Sequence, residues 1–279
     1  MINHLRITVL VENTAGARGL LAEHGLALWI EADGTNILFD TGQGMVLEPN
    51  AKVLGVDLTQ SDAVVLSHGH YDHTGGLEGV LGDFARAAIY VHPCAFDAKF
   101  GRCADGTGRI VGSPIRDAEQ LRAHVSRVVP TAEPTKVADG IWITGEIPRR
   151  NDFEDTGGPF FLDEACTKPD PLIDDQALYV ESSKGTVVLS GCGHAGLVNT
   201  LETVSELTGG APIHAVLGGF HLLNSSGNRI ERSIAALQRY GVRHIGPAHC
   251  TGLPATARIL ATFPEGFIAV VAGAEITIP

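Results

Sequence analysis

Apolar and polar positions along this chain alternate between two rhythms: short apolar runs, and side chains spaced three and four residues apart. Ile7-Thr8-Val9-Leu10-Val11 and Leu26-Ala27-Leu28-Trp29-Ile30-Glu31-Ala32 read as strands. Asp33-Gly34-Thr35 is a turn signal, so residues 36–39 form the returning strand of a hairpin. Residues 45–54 have a helical pattern, Ala63-Val64-Val65-Leu66 is a short buried strand, and residues 87–93 are a strand stopped by Pro93. In the second half, residues 178–181 and 186–190 flank Ser183-Lys184-Gly185 as another hairpin. Leu197, Leu201, Val204 and Leu207 then keep helical spacing up to Gly209-Gly210. Residues 215–217 read as a strand, 229–240 as a helix ended by Gly241, 255–262 as a last helix, and 266–278 as a last strand or pair.

Hairpins mixed with strand–helix alternation, in two similar halves, predict an α/β or α+β chain forming one domain over residues 1–279. Residues 94–175 break the rhythm. They are rich in Gly, Pro and Asp, with Phe153, Phe160 and Phe161 set among polar residues. Structureless stretches this long usually carry function or are disordered, so a lid insertion is expected here.

The densest chemistry follows the strand at 63–66, in Ser67-His68-Gly69-His70-Tyr71-Asp72-His73-Thr74-Gly75-Gly76. Imidazole and carboxylate are ligands suited to zinc, iron, nickel or manganese. His68 and His70 can project to one side of a strand end and grip one ion. Asp72 and His73 reach a neighbouring position after the chain turns, and two adjacent ions would clamp a water between them. A run of surface histidines is the plain alternative, but four ligand-type residues in six positions, after a strand and before Gly-Gly, speak against it.

This motif resembles the signature of the metallo-β-lactamase superfamily. So do Ile37-Leu38-Phe39-Asp40-Thr41-Gly42 upstream, and the histidines His194 and His249 placed just after the apolar runs at 186–190 and 245–248. Residues 190–199 (SGCGHAGLVN), 217–222 (LGGFHL) and 249–252 (HCTG) are similar to the branch named for dihydropterin-ribofuranosyl-aminobenzene phosphate synthase, a pterin-pathway enzyme. The resemblance implies a four-layer αββα sandwich of the α+β class. It implies His249 as a ligand of the ion at Asp72 and His73, and Asp40 as a residue orienting a ligand histidine through its far ring nitrogen. The superfamily's bridging aspartate falls near 192–194, so Cys192 or His194 takes that place; His194 is expected as the ligand and Cys192 behind it. His221 is expected to line the cavity and, with Asp72, to serve catalysis, a buried core histidine being the alternative. One departure stands out: Glu146 occupies the stretch where the superfamily supplies a further histidine, and a carboxylate there is a possible substitute. His92, in a strand–proline corner, and His124, in the amphipathic segment 121–128, are poor substitutes. His4, His24, His214 and His244 read as structural or surface residues.

Composition narrows the partners. The chain has 279 residues, 44% hydrophobic and 19% charged, and a formal net charge of −12. That charge argues against a nucleic-acid backbone, which calls for clustered Lys and Arg. No apolar window is long enough for a membrane span. No signal peptide is visible, and the five cysteines lack a CxxC pair, so they read as reduced cytosolic thiols in a cytoplasmic protein.

The expectation is therefore a metal-dependent enzyme acting on an anionic, phosphate-bearing small molecule, pterin-related or not, at a one- or two-ion centre. Zinc comes first; manganese, iron and nickel are alternatives. Such a centre would activate hydroxide for hydrolysis of a lactone or phosphoester, or would orient the substrate's anionic group. The rivals are an iron-dependent redox enzyme on the same fold and a metal-binding protein without catalysis. Oligomeric state is not legible.

Overall fold

In β1 (Leu5–Val11) and β2 (Ala27–Ala32), alternate side chains leave the sheet on opposite faces, and both faces are buried. Leu5, Ile7, Val9, Leu28 and Ile30 enter a central core, whereas Leu10, Ala27 and Trp29 enter a second core behind. A register shift between Val9 and Val11 moves the end of β1 from one face to the other. The computed structural model describes residues 1–278.

The chain continues through β3 (Thr35–Phe39), β4 (Ala63–Val65), β5 (Ala88–Val91), β6 (Phe100–Arg102), β7 (Gly108–Ile110) and β8 (Arg127–Pro130). Then come β9 (Thr135–Ala138), β10 (Ile141–Ile143), β11 (Phe160–Phe161), β12 (Ala177–Ser182) and β13 (Gly185–Ser190). The last strands are β14 (Ile213–Gly219), β15 (His244–Ala248) and β16 (Glu275–Ile278). Helices are α1 (Leu47–Leu54), α2 (Tyr71–Thr74), α3 (Leu77–Val80), α4 (Ala118–Arg122), α5 (Leu197–Leu207), α6 (Gly227–Arg239) and α7 (Leu253–Thr262).

Seven strands form one sheet in the order β16-β1-β2-β3-β4-β5-β8, and six form another in the order β15-β14-β13-β12-β10-β9. The central core draws Ile7, Ile30 and Phe39 from the first sheet and Leu178, Val187 and Leu217 from the second, so the sheets pack face to face. Leu47 and Ala51 of α1 and Leu77 of α3 cover the outer face of the first. Leu201 of α5, Ile234 of α6 and Ile259 of α7 cover the outer face of the second. The arrangement is the α+β, four-layer αββα sandwich.

Residues 94–175 depart from the expected single excursion. They supply edge strand β8 to the first sheet and β9 and β10 to the second, and β6, β7 and β11 form a small third sheet. These strands have two to four residues and, apart from the buried Ile141, Ile143 and Phe161, half-buried or exposed side chains, which leaves little apolar periodicity to read. His124 lies beyond α4, exposed, rather than within a helix face. Residues 266–278 yield one strand, β16, with Phe267 bridging to Ile245. Among the described residues no helix is long and apolar enough to cross a membrane, and all five cysteines are free.

Candidate metal centre

Parallel strands β3 and β4 in one sheet, and β13, β14 and β15 in the other, send their carboxyl ends toward one edge of the sandwich. The loops leaving them begin with Asp40, the segment 66–73, Cys192 to His194, His221 and His249. Open sheets place ligands at such ends. Three of these residues, Asp40 (φ 60°), His221 (φ 47°) and His249 (φ 51°), adopt left-handed backbone. Non-glycine residues take that conformation at a cost and cluster where structure serves a site. Gly69 is fixed by packing: a Cβ there would lie 1.8 Å from the Ala95 carbonyl oxygen, so the step between His68 and His70 admits no side chain.

Two groups of nitrogens converge. His68 Nε2 lies 3.0 Å from His70 Nδ1, and His194 Nε2 lies 3.1 Å from the same atom. On the other side, His73 Nε2 is 3.2 Å from His249 Nε2, and Asp72 Oδ2 is 3.3 Å from His249 Nε2. Cys192 Sγ stands between them, 3.3 Å from His73 Nε2 and grouped also with His68 and His194. Its position is further in than the sequence reading expects. His194 meets His70, and Cys192 groups with His68 and His194 as well as with His73 and His249.

The far ring nitrogens explain which atoms face inward. His73 Nδ1 meets Asp40 Oδ2 at 2.7 Å, His194 Nδ1 meets the Thr156 carbonyl at 2.8 Å, and His249 Nδ1 meets Asn13 Oδ1 at 2.9 Å. His68 Nδ1 is 3.0 Å from Ser67 Oγ, whose own hydroxyl donates to Asp40 Oδ2. Each acceptor favours a proton on the far nitrogen and turns Nε2 toward the converging point. Burial pushes His68 and His194 well below the ordinary imidazole value and His70 down to about 3. Burial opposes protonation of His73 too, but Asp40 and Asp72 hold it up at about 9. Burial and the neighbouring Cys250 keep the Cys192 thiol protonated well above its usual range.

The turn carrying His194 is clamped from behind. Asp175, fully buried, accepts from Ala195 N at 2.7 Å, and Arg149 Nη1 donates to the His194 carbonyl at 2.7 Å. Burial raises Asp175 to about 6. The 68–70 step is clamped likewise: Asp174 Oδ2 accepts from Gly69 N at 2.8 Å, while Lys99 Nζ holds Asp174 Oδ1 at 2.9 Å and Asp170 Oδ2 at 3.1 Å. All three charged side chains of that clamp are buried.

Two residues read differently from the sequence. His24, expected as structural or surface, puts Nε2 3.1 Å from Asp72 Oδ2 and completes a third grouping with Asp72 and His249. Its pKa rises through that hydrogen bond, against partial burial. It precedes β2 in a loop with no periodicity, so nothing local marks it. Glu146 reaches His92 Nε2 at 3.3 Å with a half-exposed side chain and joins none of the ligand groupings. Glu146→Gln is therefore expected to leave metal retention unchanged in chelator competition. His124→Ala should likewise leave any turnover within a few-fold.

A cavity of about 300 Å³ opens over the cluster, lined by His70, Asp72, Cys192, His194, His221 and His249 among others. Arg109, from β7, and the strip Gly157 to Phe160 close its far side. Phe160 packs on His70 at 4.8 Å and His194 at 5.2 Å between ring centroids. His221 lies 4.2 Å from the His194 ring, with Nε2 3.2 Å from the Gly157 carbonyl and a buried, unpartnered Nδ1.

Comparison with known proteins gives the family and the fold. Residues 21–99 match the model of the metallo-beta-lactamase superfamily. The chain is 32% identical to the 7,8-dihydropterin-6-methyl-4-(beta-D-ribofuranosyl)-aminobenzene-5'-phosphate synthase of Methanocaldococcus jannaschii, with 95% of this chain and 94% of that one covered. An uncharacterized protein of the same organism is also 32% identical, over 96% of this chain and 99% of its own length. A crystal structure described as a metal-dependent hydrolase of the beta-lactamase superfamily superposes with a TM-score of 0.81 at 31% identity, covering 98% of this chain and 99% of that one.

Proposed function

Since the chain belongs to the metallo-beta-lactamase superfamily and is related to a pterin-pathway synthase, we propose that it is a metal-dependent enzyme with a two-ion centre. His68 Nε2, His70 Nδ1 and His194 Nε2 would hold one ion, and Asp72, His73 and His249 the other. Cys192 Sγ faces both. The observation that carries this reading is the convergence of side chains: four histidines have their far nitrogens engaged by oxygen partners and turn Nε2 to common points. Five imidazole nitrogens, each 3.0–3.2 Å from a neighbouring one, beside the Asp72 carboxylate and the Cys192 thiol, form a donor set that fits a cation. Imidazole, carboxylate and thiol together suit zinc first, with manganese, iron and nickel as alternatives.

Bound ions in such a site supply a Lewis acid and, near neutral pH, a hydroxide. The chain supplies the rest. Asp40 orients His73 directly and His68 through Ser67, and Asn13 orients His249. Phe160 excludes water from the side of His70 and His194. His221, its Nε2 engaged by Gly157, keeps Nδ1 free to take or return a proton within the cavity. The strip Gly157 to Phe160 acts as the cover; a Cβ on Gly157 would fall 1.7 Å from His221 Cδ2, so only glycine lets it lie this close. The substrate is a small anionic molecule bearing phosphate, in keeping with the related synthase.

Cobalt substitution tests the ligand set directly. The Co(II) protein is expected to show a near-ultraviolet sulfur-to-cobalt charge-transfer band that Cys192→Ser removes while cobalt content stays above half. An unchanged spectrum in Cys192→Ser would exclude the thiol from the centre. Elemental identity of the native ion separates a hydrolytic or group-orienting zinc site from an iron redox site.

A further inference from the structure

Beyond the metal cavity, a second cavity of about 380 Å³ lies on the other side of the strip 156–158, sharing Gly157, Gly158 and Asn224 with the first. Its remaining lining includes Ser225, Ser226, Asp155 and Arg229. Arg229 is 4% exposed, yet its Nε and Nη2 have no hydrogen-bond partner. Only Nη1 is engaged, by Asp155 Oδ1, whose side chain is 81% exposed. Nε and Nη2 form one side of the guanidinium fork, the edge that grips two oxygens of a carboxylate or phosphate at once. Leaving that edge buried and unmade is costly.

The position of this cation adds to the cost. Arg229 sits in the first turn of α6, thirteen residues long, whose amino end carries partial positive charge. A cation belongs at the other end of a helix. Ser226 caps the helix by accepting from Arg229 N at 3.2 Å, which leaves its hydroxyl proton to donate. A buried cation, an open fork edge and a helix amino end thus meet at one cavity, and a bound anion offsets all three penalties.

We propose that Arg229, Ser226 and the amino end of α6 form a phosphate-binding subsite that holds the phosphoryl group of a substrate whose reacting end lies at the metals. The second half rests on the proposed metal centre; the subsite itself does not. A tetrahedral phosphate fits better than a carboxylate, because its oxygens can meet the fork edge, the Ser226 hydroxyl and the helix amides together. Asp155 competes for Arg229 from the exposed side. The strip it belongs to touches both cavities, since its Thr156 and Gly157 carbonyls meet His194 and His221.

Calorimetric titration with inorganic phosphate and with ribose 5-phosphate tests this, with metal content measured on the same samples. Wild type should bind both. Arg229→Gln should weaken both by about 10- to 100-fold, the loss expected for hydrogen bonds to a charged group, with metal content unchanged. Asp155→Asn removes the competing charge, keeps the turn to Gly157 N, and should tighten both several-fold. His68→Ala should lose one of the two ions yet bind phosphate within about twofold of wild type, because the two sites are separate. The proposal is overturned if wild type binds neither ligand, if Asp155→Asn binds as wild type does, or if His68→Ala loses phosphate along with metal. Should Arg229→Gln fail to fold, Asp155→Asn and His68→Ala decide. A metal-free wild type would sink the metal reading alone and leave the anion titrations to be judged separately.

Discussion

Replacing Lys99 with methionine should destabilise the protein by about 3–5 kcal/mol, among the largest single-residue effects expected outside the central core. Lys99 Nζ is the shared partner of Asp170 and Asp174, and all three side chains are buried. Without it two carboxylates remain in the interior without a cation, and burial, which already raises Asp174 despite Lys99, would be opposed there chiefly by the hydrogen bond from Gly69 N. Denaturant midpoints should fall with an unchanged slope, the mark of lost stability rather than altered compactness. A second effect sets this apart from a generic core defect. Asp174 Oδ2 also holds Gly69 N between His68 and His70, so chelator competition should show about 10- to 100-fold weaker metal retention. A destabilised variant with wild-type metal retention would make the clamp structural only.

His68→Ala and His73→Ala are each expected to lower turnover by at least about 10²-fold, for whichever of the phosphoester or lactone substrates the wild type processes. Both side chains are fully buried, and each contributes a nitrogen to a different cluster. The two variants should each lose one ion and keep the other. If His73→Ala retains near-full activity, only the ion at His68, His70 and His194 performs the chemistry.

Much of this site is legible in the sequence because its residues are local to strand ends. His68, His70, Asp72 and His73 lie within six positions after β4, and His194 and His249 follow β13 and β15 closely. The helix at Leu197–Leu207 matches its periodicity to the residue, since one face packs on the second sheet. What escapes is long-range. His24 matters through Asp72, far along the chain in a different loop. Cys192 and His194 are two residues apart in one turn, and spacing alone does not tell which of them faces both clusters. The strands between 127 and 143 are short: β8 and β9 are edge strands with polar or half-buried faces, and β10, though inside its sheet, has only three residues, so neither rhythm marks them. Arg229 gives no local sign either: an arginine in a helix's first turn looks like a surface residue until its burial is known.

The central claim is that the converging imidazoles hold metal. Elemental analysis of protein purified without chelators measures it most directly. The account predicts one to two transition-metal ions per chain in the wild type, with one lost in His68→Ala and the other in His73→Ala. Less than about 0.2 equivalents of every transition metal, persisting after reconstitution, would contradict it.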